Sequence, residues 1–128
     1  MKRILLAEDD ADDQEIFKEV VEEIDGGYNV LIAENGEKLI QLVEELSDGE
    51  LPQLIVLDQN MPRLKGLDTL NVLKSKDRYK DIPAVIYSTY HDPKFIQDCK
   101  DRNIELLLKP DNFESLRVMI SSLLDRYF

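Results

Sequence analysis

Three short, largely apolar runs in this chain are each followed directly by charged residues. They are 4–7 with Glu8 and Asp9, 54–57 with Asp58, and 104–108 with Lys109. A run that is apolar at every position, such as 54–57, is typical of a parallel strand covered by helices on both faces. In sheets of this kind, ligands bind at the carboxyl ends of the strands. We therefore expect the charged residues to gather along one edge of a sheet.

Segments with helical periodicity separate the predicted strands. Apolar residues three and four positions apart predict an amphipathic helix after the first strand and a closing helix from Phe113 to Tyr127. The pattern predicts strands at 3–7, 28–33, 54–57, 84–88 and 104–108. Five alternating strand and helix units without a repeat or linker predict a doubly wound α/β domain, a parallel sheet with helices on both faces. The length of 128 residues fits one such domain.

Composition excludes several classes of protein. A formal net charge of −11, without a basic stripe, argues against binding to nucleic acid, whose phosphates are bound mainly by Lys and Arg. The apolar runs are too short for a membrane span, and no signal peptide is recognisable, so a cytoplasmic protein is expected. The lone Cys99 predicts a buried structural thiol. The single His91 excludes a histidine metal cluster within one chain and is expected in a solvated loop.

The predicted sheet edge combines Glu8, Asp9, Asp58, Ser88 and Lys109. Carboxylates at contact distance repel one another unless a cation shares them. Mg²⁺ suits this role because it takes hard oxygen ligands and commonly uses only one or two carboxylates. A lysine ammonium and a serine hydroxyl beside such a site can stabilise a transferring phosphoryl group. Asp58 would then be the nucleophile that forms an acyl phosphate.

Four segments resemble the receiver domain of two-component response regulators. They are 4–10, 57–62 with Gly66 downstream, 82–89, and 107–110. The similarity extends from Lys2 to about Tyr127. It implies the flavodoxin-like receiver fold with strand order 2-1-3-4-5. It also implies one receiver domain over 1–128, with no output domain expected.

The resemblance implies a role for each residue of the predicted site. Asp58 resembles the phosphoacceptor, Ser88 the hydroxyl that moves toward the phosphoryl group, and Lys109 the lysine of that site. The peptide bond from Lys109 to Pro110 is expected to be cis. The implied Mg²⁺ ligands are the acid pair Glu8 and Asp9, with Asp9 as its direct ligand, together with Asp58 and the backbone carbonyl of Asn60.

The implied function is that of a stand-alone response regulator. It would take a phosphoryl group from the phosphohistidine of a sensor histidine kinase or a phosphotransfer protein. It would then signal to a downstream protein or pass the group on in a phosphorelay. Beyond self-phosphorylation and slow autodephosphorylation, no enzyme activity is expected. A degenerate receiver that acts as a phosphorylation-independent adaptor is an alternative. Val118, on the outward face of the closing helix, would bind a partner or a second copy, or is one of the scattered apolar residues common on surfaces.

Two other classes fit the sequence less well. Aspartyl-phosphate phosphatases have an Asp-x-Asp pattern after the nucleophilic strand and a cap that forms the substrate pocket. In this chain Gln59 and Asn60 follow Asp58, and no insertion is long enough to form a cap. A flavodoxin-type cofactor binder needs a phosphate loop after the first strand, where this chain carries acids.

Three positions depart from the common receiver pattern. Leu106 replaces the usual aromatic residue of the fifth strand, so we expect phosphorylation to be transmitted through Ser88, the segment 89–92 and the following helix. Thr89 is bulkier than the usual Ala or Gly, which suggests slow dephosphorylation. Gln59 replaces a frequently apolar residue, and the sequence alone gives no physical reason for it.

Overall fold

The computed structural model describes residues 2–89 and 92–128 of the chain, so the expectation for His91 lies outside the described residues. The strands are β1 (Lys2–Ala7), β2 (Tyr28–Ala33), β3 (Leu54–Leu57), β4 (Ala84–Ser88) and β5 (Glu105–Leu108). The helices are α1 (Ala11–Ile24), α2 (Gly36–Glu45), α3 (Gly66–Lys74), α4 (Pro93–Asp101) and α5 (Phe113–Tyr127), with a short 3₁₀ helix at Asp48–Glu50 that the periodicity does not predict.

The five strands form one parallel sheet in the order β2-β1-β3-β4-β5. This confirms the predicted doubly wound α/β architecture and its strand order. Strands β1 and β3 are neighbours, and their last residues, Ala7 and Leu57, are paired in register. The residues that follow these strands, Glu8 and Asp58, therefore leave the sheet side by side.

Both faces of the sheet are buried, as the fully apolar run 54–57 predicts. The layer formed by α2, α3 and α4 packs on one face, with side chains such as Leu39, Leu70 and Phe95. Helices α1 and α5 pack on the other face, with side chains such as Phe17 and Ile120. Successive strand residues point to opposite layers, which is why no polar residue is tolerated within β3.

Four of the helices begin at a polar residue whose side chain accepts hydrogen bonds from the first turn. Asp10 accepts from the backbone N–H of Asp12 and Asp13 at the start of α1. The corresponding caps are Asn35 for α2, Asp92 for α4 and Asn112 for α5. These caps satisfy backbone donors that have no partner inside the helix. They fix where each helix starts relative to the carboxyl end of the preceding strand.

The closing helix differs from the predicted pattern at its first residue. Leu116, Ile120, Leu123 and Leu124 are buried on one face, as the helical periodicity predicts, whereas Phe113, in the first turn of α5, is 42% exposed. Val118 is 60% exposed, which confirms its outward position.

Cys99 lies on α4 and is buried in the core, as predicted, and burial raises the pKa of its thiol. In the part of the chain that the structure describes, no helix is both long enough and apolar enough to cross a membrane.

Candidate functional site

Backbone hydrogen bonds continue beyond the ends of the strands and hold the predicted site residues in place. The N–H of Glu8 donates to the carbonyl oxygen of Ala33 at 3.0 Å. The N–H of Asp58 donates to that of Ala7 at 2.9 Å. The N–H of Lys109 donates to the carbonyl oxygen of Ser88 at 3.0 Å. Four of the five predicted residues are thereby tied to one edge of the sheet, as the parallel topology requires.

Three carboxylates meet at this edge. One oxygen from each of Glu8, Asp9 and Asp58 lies within 4.8 Å of the other two. The Glu8 side chain is 1% exposed, whereas Asp9 is exposed to solvent. A buried and a solvent-facing carboxylate close to Asp58 suit an ion that keeps part of its water shell. The donor set therefore fits a divalent cation. Asn60, the predicted backbone ligand, is exposed and lies two residues after Asp58 in the sequence.

Lys109 supplies the positive charge of the site. Its Nζ lies 2.5 Å from Glu8 Oε1, 3.3 Å from Asp13 Oδ2 and 3.7 Å from Asp58 Oδ2. Its side chain is only 10% exposed. A lysine so deeply placed among carboxylates partly neutralises their repulsion, but a single charge cannot balance all of them.

The buried charges alter the acidity of their neighbours. Burial raises the pKa of Glu8 to about 7, with a further upward contribution from the charge of Asp58, against the lowering effect of the Lys109 hydrogen bond. Burial alone would lower the pKa of Lys109, but the hydrogen bond to Glu8 and the charges of Asp58 and Asp13 outweigh it and raise that pKa. Lys109 therefore stays protonated at neutral pH, while Glu8 can take up a proton when no cation is present.

Two residues outside the predicted site also contact Lys109. Asp13, an acidic residue in the first turn of α1, forms a salt bridge with it. The ring of Tyr87 lies with its centroid 4.8 Å from Nζ, in a cation–π contact. A usable signal existed for Asp13, because the first turn of α1 follows β1 directly. No comparable signal marks Tyr87, since alternate residues of β4 look equally apolar in the sequence.

Gln59 acquires a physical explanation from the structure. Its side chain is buried, and Oε1 accepts a hydrogen bond of 2.8 Å from the backbone N–H of Leu67, in the first turn of α3. Lys65, the residue before α3, makes no capping hydrogen bond with its own side chain, so Gln59 supplies the acceptor from a distance. The residue next to Asp58 thereby fixes the start of the following helix.

The remaining predicted features are placed as follows. Ser88 ends β4 and is fully buried, and Thr89 after it is exposed. Leu106 is half-buried against the core layer of α2, α3 and α4. The expected cis bond between Lys109 and Pro110 is wrong: no cis peptide bond occurs within 2–89 and 92–128, and the trans form is the intrinsically favoured one even before proline.

The fold, the acid cluster and the adjacent lysine define a doubly wound α/β domain with a charged site at the carboxyl edge of its parallel sheet. The family model for the response regulator receiver domain matches residues 4–121. The chain belongs to this family.

Proteins of similar sequence and solved structures of similar fold are known. The chain is 27% identical over 119 residues to the cyclic di-GMP phosphodiesterase of Thermotoga maritima. The matched segment covers 92% of this chain and 30% of the phosphodiesterase. The phosphorylated cyanobacterial phytochrome response regulator RcpA has a TM-score of 0.89 at 24% identity, covering 98% of this chain and 93% of RcpA. The Mn²⁺-bound form of response regulator Rcp1 has a TM-score of 0.84 at 26% identity, covering 96% of this chain and 91% of Rcp1.

The curated relatives are longer proteins. The chain spans 30% of the Thermotoga maritima phosphodiesterase and 49% of the probable C4-dicarboxylate response regulator DctR of Bacillus subtilis. Their shared segment is therefore the receiver domain, and activities that belong to the whole of those proteins are not carried by the similarity.

Proposed function

We propose that this chain is a phosphoacceptor receiver in which Asp58 takes a phosphoryl group from the phosphohistidine of a sensor histidine kinase or phosphotransfer protein. The observation that carries the proposal is the position of Asp58. Its carboxylate is largely buried at the end of β3, next to two other carboxylates and 3.7 Å from the ammonium of Lys109. A buried carboxylate among like charges is costly to maintain, which argues for a chemical role rather than a structural one.

The transfer has a simple balance of atoms and electrons. A carboxylate oxygen of Asp58 forms the new bond to phosphorus while the phosphorus–nitrogen bond of the donor breaks. The electron pair of that bond stays on the imidazole nitrogen, which accepts a proton. Lys109, protonated and already within 3.7 Å of Asp58, would pair with the phosphoryl oxygens, and Ser88 would donate its hydroxyl to them. Charge placed where the phosphoryl oxygens lie is most of what such a transfer requires.

We further propose that Glu8, Asp9, Asp58 and the backbone carbonyl of Asn60 hold Mg²⁺. The convergence of the three carboxylates within 4.8 Å and the raised pKa of Glu8 support a cation at this position. The bound ion would supply positive charge for the phosphoryl oxygens in addition to that of Lys109. The Mn²⁺-bound form of Rcp1 shows that a protein of this fold and 26% identity takes a divalent ion.

The proposal includes how the signal leaves the domain. Residues 1–128 would act as one receiver domain in the cytoplasm, and the phosphorylated form would be recognised by a downstream protein or would pass its group on in a phosphorelay. Exposed Val118 on α5 is one position at which a partner or a second copy would contact the domain.

Intact mass spectrometry after incubation with acetyl phosphate tests the proposal. The parent chain should gain one phosphoryl group in the presence of Mg²⁺ and none after chelation. Asp58→Asn should abolish the adduct, while Asp68→Asn, an exposed acid in the first turn of α3, should retain it. A full-strength adduct on Asp58→Asn would refute the assignment of Asp58. Absence of an adduct on the parent chain would favour the phosphorylation-independent adaptor.

A further inference from the structure

The ammonium of Lys109 is closer to two other carboxylates than to Asp58. It lies 2.5 Å from Glu8 and 3.3 Å from Asp13, both within hydrogen-bond range. The distance to Asp58 is 3.7 Å, beyond that range. The lysine that would serve the phosphoryl group is thus engaged elsewhere before any phosphoryl group is present.

The competing contacts lie on the side of the sheet that faces α1 and α5. Tyr87 belongs to the core layer on this side, where its ring packs edge-on against Phe17 at 6.2 Å between centroids. This packing fixes the ring over which Lys109 Nζ lies at 4.8 Å. Asp13 approaches from the first turn of α1. Asp13 and Tyr87 both line a groove of about 230 Å³ beside Lys109.

We propose that Asp13 and Tyr87 are positioning residues that hold Lys109 in a resting position nearer to Glu8 and Asp13 than to Asp58, and that Asp13 competes with the incoming phosphoryl group for this lysine. The inference rests on the proposed function of Asp58. It assigns to the first turn of α1 a restraint on the rate of phosphorylation.

The chemistry of the step shows where the restraint acts. With acetyl phosphate as donor, an oxygen of Asp58 bonds to phosphorus while the phosphorus–oxygen bond to the acetyl group breaks, and acetate leaves with the electron pair. Lys109 lies closer to Asp13 than to Asp58, so we expect its movement toward the phosphoryl oxygens to lengthen its contact with Asp13. The Asp13 carboxylate is about half exposed, so its salt bridge with Lys109 should stabilise the resting position by only about 0.5–1 kcal/mol. Loss of this salt bridge corresponds to an increase of roughly two- to fivefold in the rate of phosphorylation.

The first measurement compares Asp13→Asn with a matched control. Asp12→Asn removes one negative charge from the same helical turn, and Asp12 is exposed. Rates of adduct formation are measured by intact mass with both variants at the same acetyl phosphate and Mg²⁺ concentrations, at high ionic strength to screen long-range charge effects. We expect Asp13→Asn to be phosphorylated about two to five times faster than Asp12→Asn. Equal rates for the two variants would overturn the proposal.

A second measurement reports on the position of Lys109 without any phosphorylation. In the metal-free parent chain, the ring of Tyr87 should shift the NMR signals of the Lys109 ε-methylene group. Asp13→Asn should move these signals toward the values of an unstacked lysine, and Tyr87→Leu should remove the shift, while Asp12→Asn should leave it unchanged. An unchanged shift in Asp13→Asn would show that Asp13 does not hold the ammonium. If the parent chain forms no adduct, the proposed function fails, and this spectrum alone decides whether Asp13 holds Lys109.

Discussion

Gly66 packs against the backbone of Asp58 so closely that a methyl group at position 66 would lie 2.3 Å from the Asp58 carbonyl oxygen. The N–H of Gly66 also donates to the carbonyl oxygen of Gln59 at 3.2 Å. The start of α3 is thus held against the loop that presents the candidate phosphoacceptor. The absence of a side chain at position 66 permits this approach, so Gly66 is required for steric reasons rather than for an unusual backbone conformation.

Gly66→Ala should therefore disturb both stability and phosphorylation. The added methyl group has to displace backbone atoms, which typically costs about 1–3 kcal/mol. The displaced atoms belong to Asp58 and Gln59, so adduct formation with acetyl phosphate should slow as well. Gly49→Ala is the matched control, because a methyl group there meets no atom within 4 Å. Chemical denaturation and adduct rates measure the two effects. A Gly66→Ala variant as fast and as stable as the control would contradict the prediction.

The strands and the edge that carries the site could be predicted from sequence because each depends on a local pattern. Runs such as 54–57 are apolar at every position, and only a strand buried on both faces requires this. Parallel strands then bring their carboxyl ends together without further information, which places Asp58 and Glu8 side by side.

The contacts that tune the site could not be predicted in this way. Whether Asp13 faces Lys109 or solvent depends on the rotation of α1 about its axis, which is set by its packing against the sheet and α5. The role of Gln59 depends on where α3 begins in space, eight residues later in the chain. Tyr87 is one of several apolar residues in β4 until the path of the Lys109 side chain is known.

Leu106 provides a test of how phosphorylation is transmitted. It is half-buried and cannot act as an aromatic rotor, so Leu106→Ala should leave most of the phosphorylation-dependent change in the NMR spectrum intact. The variant should lose roughly 1–2 kcal/mol of stability, less than the cost of truncating a fully buried leucine. Leu107→Ala, which lies on the opposite face of the same strand, controls for this general loss. If the spectral change disappears only in Leu106→Ala while the fold and the adduct persist, Leu106 itself carries the signal.

The raised pKa of Glu8 predicts how the stability of the metal-free protein depends on pH. The native state binds a proton at Glu8 up to about pH 7, whereas the unfolded chain releases it near the ordinary value of 4.5. Between these values the native state holds more protons than the unfolded state, so the Glu8 contribution to stability falls as pH rises. The loss should be on the order of 3 kcal/mol by pH 8.

Glu8→Gln isolates this contribution from those of the other acids. The difference in free energy of unfolding between Glu8→Gln and the parent should shift in favour of the variant as pH rises from about 4.5 to 8, when denaturation is measured in the presence of a chelator. A difference that does not change with pH would show that Glu8 titrates normally in the folded protein.

Mg²⁺ should stabilise the folded domain by neutralising the three carboxylates that the fold forces together. They lie within 4.8 Å in the native state and are free to separate in the unfolded chain, so the cation binds the native state preferentially. At a hundredfold excess over its dissociation constant, a ligand of this kind adds about 2.7 kcal/mol. For a domain of this size, the melting temperature should rise by on the order of 10 °C.

Asp9→Ala should abolish most of this response to Mg²⁺ and stabilise the metal-free protein, since it removes one of the repelling charges. Asp12→Ala, the control, should keep the response. Melting curves of the parent and both variants, each with and without Mg²⁺, decide the matter, and a metal-free Asp9→Ala variant less stable than the metal-free parent would show that the cluster is not under electrostatic strain.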